Sequence, residues 1–320
     1  MRTVRLITLL CCALLCGIAA AQDYPARPVR VVIPFPPGGT VDILARAVAQ
    51  NLSAELKQNF VADNRPGAAG NIAAALVAKS SADGYTLLVA TINLATNSAL
   101  YANLSYDPLK DFAPISILGI TPNALVINPS VRANSVQELI DLAKGNPGKL
   151  NYGSAGSGTA VHLTAELFNV LAGIKVVHVP YKGPIEALTD VVAGRLDFMF
   201  PNLPVALPFV NSGKLRMLAV TSAKRHSSIP AVPTVSEAGL PGYEAIAWFG
   251  MVAPSGTPKP IIVTLSRLLG KILNSAEVKQ QLYNAGIDVA PTTPEQFEAF
   301  LAGETAKWAK IIKAAGLRAD

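Results

Sequence analysis

The sequence predicts an α/β protein of two lobes around a central cleft, and three observations carry that expectation. Short β-rich apolar runs alternate with stretches of helical periodicity, the pattern of strand–helix–strand units with parallel pairing. The chain has 320 residues, 51% of them hydrophobic and 15% charged, enough apolar material for two medium lobes with true cores. Segments 122–129 and 220–233 interrupt the α/β runs at chain distances that fit an inserted lobe. Two connections then make a natural hinge. The expected division is residues 22–123 plus 232–320 in one lobe and 124–231 in the other.

Candidate strands are 29–33, 59–62, 85–90, 124–127, 149–152, 175–179, 196–200, 215–221 and 245–252, each short, apolar and bounded by turn formers. The stretch 41–56 reads as the helix after the first strand, with Ile43, Leu44, Ala47, Val48, Leu52 and Leu56 on one face. Ser135-Val136-Gln137-Glu138 is a capping-box pattern, and Gly145-Asn146-Pro147 ends the helix it opens. Thr293-Pro294-Glu295-Gln296 repeats the pattern with proline at the first helical position. The helix it opens carries Phe297, Phe300, Leu301, Trp308, Ile311 and Ile312 at helical spacing, which reads as a core face.

The formal charge is +6, from 27 Lys+Arg against 21 Asp+Glu, and its location matters more than its sum. Arg2 and Arg5 precede an apolar run over 6–18, and Ala19-Ala20-Ala21 precedes Gln22. That is the layout of a cleavable secretory signal peptide over residues 1–21, with cleavage after Ala21. Its removal takes two arginines and no acid, so the excess falls to +4. Cys11, Cys12 and Cys16 leave with it, and the exported chain has no disulfide, Cys nucleophile or Cys–metal site. The remaining basic residues are scattered, and Lys214, Arg216, Lys224 and Arg225 lack interleaved aromatics. Nucleic-acid binding is not expected.

Four small-residue loops follow candidate strands. Pro34-Phe35-Pro36-Pro37-Gly38-Gly39-Thr40 lets the backbone approach a ligand and then exposes helix-start N–H groups. It lacks the Gly-Lys-Ser/Thr ending of a nucleotide P-loop, and an ordinary strand-to-helix turn is the other reading. Tyr152-Gly153-Ser154-Ala155-Gly156-Ser157-Gly158-Thr159 has the same logic in the second lobe. Its spacing is neither the dinucleotide fingerprint nor a nucleophile elbow. The 65–71 loop with Ala69, and the 91–97 loop with Thr91 and Asn93, complete the set. Ligands sit beyond the carboxyl ends of strands in open α/β sheets, so the four loops together predict a carboxylate clamp. Tyr181 and Asn202 lie close enough in sequence to contribute, and His162 could too, although a packed or helix-facing histidine is the stronger reading there. No metal motif or evident nucleophile–base spacing is present, and no cofactor is expected.

These segments resemble the tripartite tricarboxylate transporter receptors, also called Bug receptors. The likeness spans the chain after residue 21. Its first part rests on Tyr24-Pro25-x-Arg27-Pro28, Pro34-Phe35-x-Pro37-Gly38-Gly39 with Asp42, Ala45 and Arg46, and Asn64-Arg65-Pro66-Gly67 with Gly70-Asn71. Asp83-Gly84-Tyr85, Tyr152-Gly153-Ser154-x-Gly156-x-Gly158 and Val179-Pro180-Tyr181-Lys182-Gly183 continue it. Trp248-Phe249-Gly250 and Ala253-Pro254-x-Gly256-Thr257-Pro258 complete it.

The resemblance implies a two-lobed periplasmic binding protein of type II-like architecture. Each lobe would be a mixed sheet flanked by helices, and the ligand cleft would lie between them. It implies capture of a small organic, dicarboxylic or aromatic acid without catalysis, for a membrane permease or a sensor protein. The chain would act as a monomer, with an exported enzyme on the same scaffold as the alternative. Phe35, Gly38, Gly39 and Thr40, with Ser154, Gly156, Ser157, Gly158 and Thr159, carry over as ligand groups. Two departures stand out. Ala69 interrupts a glycine-rich pair, and Pro201 replaces an Asp expected after Met199-Phe200, which favours a plain acid over an amino acid.

Overall fold

The computed structural model describes residues 24–318. The signal peptide expected over 1–21, the cleavage expected after Ala21, and all three cysteines lie outside the described residues. Eleven strands and ten α-helices alternate through the described chain: β1 (Val29–Ile33), α1 (Thr40–Leu56), β2 (Phe60–Asn64), α2 (Asn71–Ala78), β3 (Thr86–Thr91), α3 (Ile92–Leu100), β4 (Phe112–Pro122), β5 (Ala124–Ile127), α4 (Val136–Gly145), β6 (Asn151–Ser154) and α5 (Ala160–Ala172). Then come β7 (Val177–Pro180), α6 (Pro184–Val192), β8 (Phe198–Met199), α7 (Leu203–Asn211), β9 (Arg216–Val220), β10 (Ile246–Pro254), α8 (Lys259–Leu273), α9 (Ala276–Asn284), β11 (Asp288–Val289) and α10 (Pro294–Ala315).

Two mixed sheets result. The first has the order β11-β4-β10-β3-β1-β2 and the second β7-β6-β8-β5-β9. Expected parallel pairing holds for β1 with β2 and β3, and for β6 with β7 and β8. It fails at β10, antiparallel to β3 and β4, and at β5, antiparallel to β8 and β9. Those strands arrive from the other sheet or from a distant part of the chain, so no crossover helix fixes a parallel direction.

Side-chain alternation puts a core on each face of both sheets. Along β10, Ala247, Phe249, Met251 and Ala253 join one cluster with Leu44 and Leu269. Trp248 and Val252 join the opposite one with Phe297 and Trp308. This is the period of two a pleated strand imposes. The second sheet is covered by the Tyr152, Phe168 and Phe200 cluster on one face and the Leu188, Val191 and Leu203 cluster on the other. The capping signal at Thr293 holds in full, with Gln296 forming the reciprocal box. At Ser135 only the N-cap half forms: Ser135 accepts from the Glu138 amide, and the Glu138 carboxylate accepts from the Asn134 amide instead of that of Ser135.

The chain passes between sheets at Asn123 and again between Thr221 and Ile246, and the two passages are stitched together. Thr221 Oγ1 bonds the Asn123 amide at 2.7 Å and the Ala245 carbonyl at 2.6 Å. Asn123 Nδ2 donates to Thr164 Oγ1 at 2.6 Å. Val235, Tyr243 and Ala245 belong to the core of the second sheet.

Candidate functional site

Five helices start directly beyond the carboxyl ends of strands and aim their N-termini at one cavity between the sheets. Its wall contains Gly39, Thr40 and Val41 at the start of α1, and Thr91, Ile92 and Asn93 at the start of α3. Thr159, Ala160 and Val161 open α5, Pro184 opens α6, and Asn202 precedes α7. Phe35, Ala155, Ala247, Trp248 and Phe249 complete the wall. The cavity measures about 50 Å³. Wider grooves of about 390 Å³ behind Trp248 and about 280 Å³ beside His226 receive no such convergence of helix ends.

The first amides of these helices have no helical acceptor by geometry. Among the described residues, the Thr40, Val41, Ile92, Asn93, Ala160 and Val161 amides have no protein partner. No lining residue carries an ionisable side chain. Thr40 Oγ1, on a residue only 2% exposed, also lacks a partner among the described residues. A wall of amides without protein partners at positive dipole ends suits an anion and repels a cation.

The lobes meet closely over this cavity. Asn93 Nδ2 donates to the Gly158 carbonyl across the cleft at 3.0 Å. A β-carbon on Gly39 would stand 3.4 Å from Pro184 Cγ, and one on Gly183 3.0 Å from Pro36 Cγ. The cleft is shut.

Asp42 holds the first loop rather than facing the cavity. Its carboxylate accepts from the Gly38 amide at 3.0 Å, Arg46 Nε at 2.9 Å and Asn64 Nδ2 at 2.9 Å. Burial works to raise this carboxyl, and the bonds from Arg46, Asn64 and Gly38 outweigh it, holding the group below the usual carboxylate range.

Of the residues expected from sequence, Phe35, Gly39, Thr40, Thr91, Asn93, Thr159 and Asn202 meet in the cavity wall. The others lie outside it. Pro37 and Gly38 are exposed at the mouth, and Ser157 is half-buried beside it. Ala69 stands in a left-handed conformation, φ 49°, which glycine adopts freely and alanine only at a cost of about 1–2 kcal/mol. Gly156 and Gly158 shape the turn, both at positive φ. Tyr181 turns away to donate to Asp190. Ser154 and His162 point into the second lobe, where Ser154 Oγ meets His178 Nε2 at 2.6 Å and His162 Nδ1 accepts the Gly158 amide.

Sequence reasoning missed Val41, Ile92, Ala155, Ala160, Val161, Pro184 and Ala247. Most are first-turn neighbours of the residues it did name, and helix-start geometry alone would have added them. Trp248 and Phe249 stood out only through the family resemblance.

A shut cleft between two mixed sheets, floored by helix N-termini and hinged on paired crossings, defines a two-lobed solute-binding protein. The family model described as "Tripartite tricarboxylate transporter family receptor" matches residues 44–317, and the chain belongs to that family. The resemblance read from its motifs is thereby borne out. Protein BugT of Bordetella pertussis is 38% identical over 307 residues, covering 94% of each chain. The structure of R. palustris Rpa4515 with adipate is 40% identical with a TM-score of 0.90, covering 92% of this chain and 99% of that one. MatC from Rhodopseudomonas palustris with bound malate is 31% identical with a TM-score of 0.86, covering 90% and 100%.

Proposed function

We propose that this chain is a periplasmic receptor that closes on a small organic acid for the membrane permease of a tripartite tricarboxylate-type transporter, or for a sensor protein. The observation that carries this reading is the convergence of five helix N-termini on a cavity wall without an ionisable side chain. Each such terminus stabilises an anion by about 0.3–1 kcal/mol, and up to about 2 kcal/mol where partly buried. Relatives that bind adipate and malate support the same ligand class. An ammonium would find no carboxylate in the wall, since Asp42 is engaged by Gly38, Arg46 and Asn64. A plain acid therefore fits better than an amino acid.

The lobes of this reading are residues 22–123 with the chain after Ala245, and residues 124–245. The packing of Val235, Tyr243 and Ala245 against the second sheet favours a return at 245 over one at 232. Export with cleavage after Ala21 and action as a monomer belong to the same reading. An exported enzyme would need a nucleophile in the cavity, and the Ser154–His178 pair is a poor candidate because Ser154 is fully buried outside the cavity wall.

Native mass spectrometry of the protein purified without unfolding tests this reading. A co-purified small acid that is lost on unfolding is the expected result. A bound amine, or a protein that no carboxylate stabilises against heat, would contradict it.

A further inference from the structure

We propose that His162 is the positioning residue that holds the 156–159 turn in its ligand-gripping form, and that protonation of its ring opens the cleft; this rests on the receptor reading above. The His162 ring is 7% exposed and does not line the cavity. From the first turn of α5 it accepts the Gly158 amide at Nδ1, 3.0 Å away. The Gly158 carbonyl in turn accepts Asn93 Nδ2 from the opposite lobe at 3.0 Å. One imidazole thus anchors the residue whose carbonyl bonds across the cleft.

That role requires a neutral Nδ1, because an imidazolium donates from both nitrogens and would face the Gly158 donor with another donor. A second ring adds to the constraint. His178 on β7 stacks on His162 with centroids 4.1 Å apart, and its Nε2 meets Ser154 Oγ at 2.6 Å. Ser154 Oγ also accepts the Gly156 amide at 3.1 Å. Both imidazoles therefore end on the same turn, and two cationic rings at that separation would repel.

The groups around the pair are few. Tyr152 on β6 stacks on His178 at 4.9 Å and donates its hydroxyl to Glu166, one turn further along α5. Phe198 on β8 stacks on Tyr152, and Trp308 of α10 lines the same groove as Glu166. Across the cleft the turn meets Leu100 and Asn97, neither of which titrates. Burial pushes His162 down to about 4. Burial and then His162 push His178 down to about 4, with Glu166 acting in the opposite sense. The closed turn binds fewer protons than a turn whose ring has returned toward about 6.5. Acid therefore favours the released turn, progressively from about pH 6.5 to about pH 4.

The cysteines all lie at or before Cys16, so a chain starting at Gln22 accepts spin labels at V61C and V177C, exposed positions on β2 and β7. The label distance and the affinity for adipate are measured together from about pH 7.5 to about pH 4.5. Wild type is expected to lose at least about tenfold in affinity and to widen over that range. His162→Asn, whose Oδ1 can take the Gly158 amide without titrating, is expected to lose only the affinity that protonation of adipate's own carboxylates removes from every variant. His162→Leu is expected to bind about tenfold more weakly at every pH.

A wild-type profile that falls no more steeply than that of His162→Asn overturns the proposal. So does a folded His162→Leu with wild-type affinity. If His162→Leu does not fold, the comparison with His162→Asn decides alone. If adipate closes no variant at any pH, adipate is not the captured acid, and the label distance alone is read. Acid widening of the wild type but not of His162→Asn would then still support the positioning role, and its absence would end it.

Discussion

Gly158→Val is expected to abolish productive closure, lowering affinity for the captured acid at least about 100-fold while the lobes stay folded. Two independent features make the position intolerant. Gly158 sits at φ +78°, where an L-residue pays about 1–2 kcal/mol and a β-branched one is additionally stiff. A β-carbon there would also stand 2.5 Å from Leu100 Cδ1 in the other lobe. Leu100 is 3% exposed in the core of the first sheet, so it has little room to yield. The clash with Leu100 is relieved when the lobes part and so falls on the closed state, whereas the backbone cost stays with the turn in both states. Calorimetric titration beside a thermal melt checks the split. Wild-type affinity in a folded Gly158→Val protein would remove the cleft from the account.

Thr40→Val is expected to move stability and affinity in opposite directions. Thr40 Oγ1 is buried with no protein partner among the described residues, and an unpaired buried hydroxyl costs about 1–3 kcal/mol. Valine keeps the branched shape and removes that penalty, so the melting temperature of the free protein rises. The same change removes a donor to the bound anion, and a hydrogen bond to a charged group contributes about 1.5–3 kcal/mol, a loss of roughly tenfold to a hundredfold. Thr40→Ser, which retains the hydroxyl, is expected to keep most of the affinity. A Thr40→Val protein with unchanged affinity would show that the hydroxyl does not face the ligand.

What could be read from the sequence was local. The helix starts at Ser135 and Thr293 were legible because a capping box is fixed within four residues. Nine strands were legible from short apolar runs. The long strand β4 was not, because Pro114, Ser116 and Gly119 interrupt its pattern. It persists through antiparallel pairing with β10, which absorbs two register shifts. Nothing within its own window carries that information. The two-residue strand β11 is shorter than any periodicity can resolve.

The site divides in the same way. Thr40, Thr91 and Thr159 could be found because a helix start after a strand places them by local geometry. Ser154, His162 and Tyr181 sit in the right loops, and tertiary partners decide their direction. His178 takes Ser154 and Asp190 takes Tyr181, while His162 turns to the Gly158 amide. Proximity to a ligand loop located these residues without fixing where their side chains point.

The central claim is that charge on the ligand is recognised by unpaired amides at helix N-termini without a cationic side chain. Isothermal titration of the co-purified acid, or of adipate where none co-purifies, against its uncharged amide tests this most directly. The account predicts that the acid binds at least about 100-fold more tightly than the amide of the same length and shape, and that the matching diamine does not bind. Equal affinity for acid and amide, or binding of the diamine, would contradict it.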